Sequence, residues 1–151
     1  MDIDINLTDN QKKALAALKD NRYTSVWYGG WAWWWKTFLW VVWVWLMCIK
    51  YPWVRFAFVR DTIKNLKNTT VVSLEKFYSI YNIPENLRWK VSEQKSQITF
   101  ANGSTILLLE WCYYPSDPLY NRFGSLELTW AFVEESAEVP LDWIKILKTR
   151  V

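Results

Sequence analysis

The sequence predicts an α/β fold, and three observations predict it. A short strand, Thr24 to Tyr28, ends at Gly29-Gly30 and is followed by Lys36-Thr37 and a long apolar run. A second apolar strand, Leu128 to Val133, runs straight into Glu134-Glu135. Helical and strand patterns alternate between the two. That is the order of a P-loop NTPase. The expected architecture is a three-layer sandwich, truncated after the acid-bearing strand and carrying an inserted β-hairpin.

The elements follow in turn. Leu15 and Leu18 recur at helical spacing among alanines and lysines, which predicts a helix over 9–19. Thr8 stands at its N-cap with Gln11 three residues on, the pattern of a capping box. Asn21-Arg22-Tyr23 is a turn, and the short strand over 24–28 comes next. The unbroken apolar run Phe38 to Ile49 is ambiguous: its length favours a buried helix, its valines and tryptophans a strand. Lys50-Tyr51-Pro52 closes it. Val54 to Val59 reads as a strand, and Arg60-Asp61-Thr62 opens a helix that runs with interruptions to Tyr81, before Pro84. Asn102-Gly103 between two apolar runs is a hairpin signal of type I′, whose two central residues both take positive φ. Tyr113 to Asn121, with two prolines, is a loop, and Leu141 to Lys148 is a last helix. No repeat or low-complexity linker interrupts the series, so one domain is expected.

Composition bounds the chemistry. There is no histidine, which excludes a histidine triad, a histidine general base and mixed zinc sites. Two cysteines cannot form a disulfide scaffold and read as the reduced thiols of a cytosolic protein. A net charge of +3 is too mild to argue nucleic-acid binding by itself. Met1 to Asn10 is polar and acidic and does not read as a signal peptide. Thirteen tryptophans against four glycines is the anomaly.

The anomaly falls on the phosphate loop. In the template G-x-x-x-x-G-K-[ST], Gly30, Lys36 and Thr37 match, and Trp35 takes the place of the second glycine. The loop from Gly30 through Trp31, Ala32, Trp33, Trp34 and Trp35 to Lys36 and Thr37 is the candidate phosphate cradle. Wrapping a phosphate needs left-handed φ and close backbone approach, so a non-glycine residue there costs about 1–2 kcal/mol in strain. The indole also fills space meant for phosphate. Lys36 would neutralise phosphate charge, and Thr37 with Glu134 would place Mg²⁺. Glu135 would polarise the attacking water.

At this point the chain resembles the large terminase subunit of tailed bacteriophages, over nearly all of its length. The resemblance is carried by Tyr28-Gly29-Gly30 through Lys36-Thr37, by Met47 to Pro52 followed by Val54-Arg55 and Val59-Arg60, and by Phe100 to Ile106. Its most specific part is Pro115-Ser116-Asp117-Pro118-Leu119-Tyr120-Asn121-Arg122-Phe123-Gly124-Ser125-Leu126-Glu127, leading into Val133 to Val139. The resemblance implies the N-terminal ATPase domain of a terminase, incomplete, with the nuclease domain absent. Its activity would be ATP hydrolysis driving double-stranded DNA into procapsids. ATP and Mg²⁺ are the implied cofactors. The implied partners are DNA, the portal protein, the small terminase subunit and further copies in a homo-oligomeric ring, in the cytoplasm of an infected bacterium and docked on the procapsid. No membrane is implied. Gln11 would read adenine, besides its capping role. Arg122 would act as an arginine finger on a neighbouring subunit, or is a solvated loop arginine, and Arg60 would be structural or contact DNA.

Trp33, Trp34, Trp35, Trp40, Trp53 and Trp130 stand where such sequences commonly carry glycine or another small residue. The simplest account is an altered or designed fragment with glycines exchanged for tryptophan, and impaired hydrolysis is then expected. Two other readings compete. A non-enzymatic Trp-rich interaction or membrane-interface segment would use Trp31 to Ile49, although Phe38 to Ile49 is only about 18 Å as a helix, against roughly 30 Å of hydrocarbon. Another P-loop motor, such as a helicase, gives no reason for Ser116 to Tyr120.

Overall fold

The computed structural model describes residues 5–20, 22, 25–26, 33–92 and 94–151, with backbone alone for 33–35. Helix α1, Asp9–Lys19, begins with the expected capping box. The Gln11 amide N–H donates to Thr8 Oγ1 at 3.4 Å, and the Thr8 amide N–H donates to Gln11 Oε1 at 2.9 Å. Gln11, Ala14 and Leu18 form its buried stripe at helical spacing. The expected strand over 24–28 lies for the most part outside the described residues.

The ambiguous apolar run is a helix, α2, Trp33–Lys50. Tertiary packing settles it. Residues 37–45 are buried without interruption, as in a helix covered on all sides. Helices α1 and α4 supply part of that cover, and Phe56 and Phe132 of the sheet, packed on Trp43 and Trp40, supply the rest. A strand would have left half of this apolar surface to water. The hairpin turn caps the far end: Asn102 Nδ2 donates to the Cys48 carbonyl at 2.6 Å, and Ser104 Oγ donates to the Tyr51 carbonyl at 2.8 Å.

Strand β1, Arg55–Arg60, leads to a helical stretch in three pieces: α3, Ile63–Leu66, a π-helical turn, Lys67–Val71, and α4, Val72–Tyr81. Thr62 Oγ1 accepts from the Asn65 amide, and Glu110 from the Ile63 amide, so two orphan donors of α3 are satisfied. Strands β2, Lys90–Ser92, β3, Gln97–Thr99, β4, Thr105–Glu110, and β5, Trp130–Val133, complete a five-stranded sheet among the described residues, in the order β2-β3-β4-β1-β5. Helix α5, Leu141–Lys148, follows as expected.

The hairpin departs from expectation in two ways. It is not an insertion. Its second strand, β4, pairs in parallel with β1 and so belongs to the central sheet, while β2 and β3 extend one edge in antiparallel fashion. Nor is the turn type I′. Of its residues only Gly103 has positive φ, +85°, and the Gly103 amide bonds the Phe100 carbonyl at 3.1 Å. This is a three-residue hairpin loop closed by one left-handed glycine.

Strand alternation divides the apolar side chains into two cores, which makes the three layers. Phe56, Phe58, Ile106 and Leu108 face α2 and α4. Ala57 and Val59 face Tyr120, Phe123, Trp143 and Leu147 on the other side. Trp40, Trp43 and Trp45 are buried. Trp43 packs edge-on against Phe56 at 5.5 Å and against Trp130 at 5.2 Å, and Trp40 lies 4.7 Å from Phe132. Such pairs contribute about 0.5–1.5 kcal/mol each beyond burial. The sheet accommodates these rings. Among the described residues no helix is long and apolar enough to cross a membrane.

Candidate functional site

Parallel pairing builds the site. Val59 on β1 lies opposite Val133 on β5, and the Glu134 amide donates to the Val59 carbonyl at 2.9 Å. Arg60 and Glu134 therefore leave adjacent strands side by side, at the carboxyl ends where open parallel sheets bind ligands. Helix α2 brings Thr37 to the same place. Its Oγ1 lies 3.3 Å from Glu134 Oε1, a contact between residues 97 positions apart. Both residues are buried. Lys36 precedes Thr37 on the same turn and is half-buried.

Glu134 is densely held. Its Oε2 accepts from Arg60 Nη1 at 2.9 Å and lies 3.1 Å from Thr69 Oγ1 and 3.4 Å from Thr70 Oγ1. Both threonines sit on the π-helical turn, which sets two consecutive hydroxyls around one carboxylate oxygen. Arg60 Nη2 reaches Glu135 Oε1 at 3.0 Å, and its Nε lies 3.4 Å from Asp61. The guanidinium thus spans both acids of the motif. Glu135 adopts a left-handed backbone, φ 55° and ψ 47°, which turns the chain sharply after β5. Desolvation, helped by Glu138 and Glu134, pushes its carboxyl above the ordinary value although Arg60 opposes the shift.

The other expected residues are placed less centrally. Gly30, Trp31 and Ala32 lie outside the described residues. For Trp33, Trp34 and Trp35 the backbone is helical, so the helix begins two residues before the template's second glycine. The expected loop through position 35 is corrected to that extent. Right-handed helical φ is open to tryptophan, whereas the left-handed values a wrapped loop needs are not. First-turn amides of α2 have no acceptor within the helix, so they can still face an anion. Gln11 is fully buried and holds the capping box.

Arg122 is engaged within its own loop. It bonds Asp117 Oδ2 at 3.0 Å and the Cys112 carbonyl at 2.7 Å, and stacks over Tyr114 at 4.6 Å and Phe123 at 4.7 Å. Although desolvation raises the Asp117 carboxyl, amide hydrogen bonds from Arg122 and Asn121 and the Arg122 guanidinium hold it below the usual carboxylate range. None of these contacts reaches Thr37 or Glu134.

Arg60, Thr69 and Thr70 were not singled out as site residues in the sequence. A signal existed for Arg60: it ends a strand of apolar residues as Glu134 ends another. For the threonines the signal was weaker, two β-branched residues inside a helical stretch.

The donor set suits a hard cation. Thr37 Oγ1 and Glu134 Oε1 are a hydroxyl and a carboxylate oxygen facing one another, the ligands Mg²⁺ takes beside phosphate. Among the described residues no group of three or more His, Cys, Asp or Glu could hold a metal ion without such help.

No family model matches this sequence, and no curated protein does. Solved structures do. The large terminase from a thermophilic bacteriophage, crystal form 2, superposes with a TM-score of 0.71 at 17% identity, covering 97% of this chain and 36% of that one. The same protein in complex with ATP-gamma-S gives 0.66 at 16% identity, covering 96% and 35%. In complex with ADP it gives 0.56 at 19% identity, covering 76% and 26%. The chain therefore spans about a third of the length of the structures it matches. Likeness at this identity establishes architecture: over nearly its whole length, this chain has the α/β fold seen in the matching third of a bacteriophage large terminase.

Proposed function

We propose that this chain is the nucleotide-hydrolysing part of a motor that packages double-stranded DNA into viral procapsids. The Thr37–Glu134 contact carries the reading. It joins the hydroxyl of the Lys-Thr pair to the first acid after β5 across the intervening fold, as a P-loop site requires. The thermophilic phage terminase has been captured with ADP and with ATP-gamma-S, which favours a nucleotide ligand here.

In this proposal Lys36 neutralises phosphate charge, Thr37 and Glu134 hold Mg²⁺, and Glu135 orients the attacking water. Mg²⁺ would supply charge neutralisation at the phosphates. Glu135, its carboxyl shifted upward by desolvation, is suited to accept a proton. Gln11 would read adenine from the N-terminal side. Arg122 would serve a neighbouring subunit's site, which requires it to leave Asp117 and its aromatic cage on assembly. DNA, portal protein, small subunit and a homo-oligomeric ring are the partners this role entails, in the cytoplasm of an infected bacterium.

The test compares ATP binding and turnover by the chain as written with a variant carrying glycine at 33, 34 and 35. The chain as written should turn over ATP poorly or not at all. The glycine variant should bind Mg²⁺·ATP and hydrolyse it, and Glu135→Gln in that background should bind without turnover. Failure of the glycine variant to bind nucleotide refutes the proposal.

A further inference from the structure

We infer that Arg60 is a positioning residue of this site, an assignment that rests on the nucleotide-hydrolysis reading. Glu134 has two oxygens and the fold treats them differently. Oε2 faces Arg60, Thr69 and Thr70, at 2.9, 3.1 and 3.4 Å. Oε1 faces Thr37 at 3.3 Å. With one oxygen saturated, the carboxylate cannot rotate without breaking a buried ion pair, so Oε1 stays on the side where a cation would lie. The second arm of the same guanidinium holds Glu135 at 3.0 Å. A planar fork spans two acids in a way a lysine ammonium cannot. Asp61 steadies the guanidinium from behind at 3.4 Å, and Glu138 is the remaining acid beside Glu135.

The experiment uses Arg60→Gln and Arg60→Lys, in the chain as written and in the background with glycine at 33–35. ADP affinity is measured with and without Mn²⁺. In Arg60→Gln the gain in ADP affinity from Mn²⁺ should fall by about 10-fold or more, as on loss of a ligand's outer partner, with metal-free affinity unchanged. Arg60→Lys, which keeps the charge and guards against misfolding, should recover only part of the metal gain, since an ammonium cannot span both acids. An unmoved metal gain in Arg60→Gln, with ADP still bound, overturns the positioning role alone. Absence of ADP binding in the unsubstituted glycine background sinks the nucleotide reading and this role with it.

A different observation carries a second inference. Trp53 has φ +64° and is 77% exposed, a bulky side chain in backbone territory that glycine occupies freely. Its ring lies so close to Gly103 that a Cβ there would sit 2.6 Å from it. Trp35 occupies the position at which the phosphate-loop template carries glycine. By contrast Trp89 and Trp143 have built-in partners, Tyr78 at 3.8 Å and Phe123 at 5.6 Å. The geometry points to glycine at 35 and 53 in the working protein, each tryptophan being the reading of a UGA codon, which some genetic codes assign to tryptophan and another to glycine. The gene decides it: UGA is expected at 35 and 53 and UGG at 89 and 143. Peptides of the protein from its native host should carry glycine at the first two. UGG at 35 or 53, or tryptophan in those native peptides, overturns the inference.

Discussion

Removing the Arg60 guanidinium tests how the site is held. The side chains of Arg60 and Glu134 are 10% and 8% exposed, so the pair sits in a medium where an uncompensated charge is costly. Breaking a buried pair by deleting one partner costs about 3–5 kcal/mol. In Arg60→Leu, the Thr69 and Thr70 hydroxyls remain beside Glu134, and Glu135 is exposed enough for water to reach it, 25%. Both place the loss near the lower end, about 3 kcal/mol. At about 2–4 °C per kcal/mol for a domain of this size, the melting temperature falls by about 6–12 °C. The double variant Arg60→Leu/Glu134→Leu removes the stranded charge with its partner and should recover about 2 kcal/mol relative to additivity. Urea denaturation of the four proteins measures both quantities. A single variant within about 0.5 kcal/mol of wild type, or strictly additive losses, would refute the argument that this ion pair holds the two strand ends together.

Trp53→Gly should stabilise the chain. Relief of left-handed strain, about 1–2 kcal/mol, exceeds the entropy glycine adds to the unfolded state, about 0.4–1 kcal/mol, so melting should rise by a few degrees; a fall would show that the ring's packing on Gly103 dominates. Thr8→Ala removes one half of the capping box and should cost about 1 kcal/mol, seen as earlier unfolding in a denaturant titration. Asp117 has a folded-state pKa below its unfolded value, so its contribution is present above the ordinary carboxylate range and lost as pH falls through the folded value. Amide exchange in the loop over 112–123 should accelerate in acid, and Asp117→Asn should abolish that pH dependence. Glu135 has the opposite sign: its raised carboxyl favours the protonated form, with stability present below the unfolded pKa and lost as pH rises through the folded one. Glu135→Gln should therefore leave stability at neutral pH unchanged or higher, by the same titration.

Much of this molecule is written in short-range patterns. Thr8 and Gln11 are three residues apart, and their reciprocal bonds formed as read. So did α5, whose Trp143 and Leu147 share one face; a hairpin formed around Gly103 as well, though with a three-residue loop. The acids at the end of β5 were visible because a run of apolar residues stops abruptly at Glu134. In each case the partners lie within a few residues of one another, where periodicity and cap chemistry can see them.

Tertiary structure alone decided the rest. Nothing local could choose helix over strand for Phe38 to Ile49, because propensity and length disagreed and only a sheet face needing cover made the choice. A strand end marked Arg60, but nothing local could name its partners among the acids after β5, 74 and 75 residues away, or show that Thr69 and Thr70 crowd one oxygen of Glu134. The turn at Asn102 closes α2 from 54 residues away, and β4 proved a central strand rather than an appendage. The physical reason is the same throughout. A side chain's hydrogen-bonding and packing preferences say what kind of partner it needs, while the path of the chain determines which partner arrives.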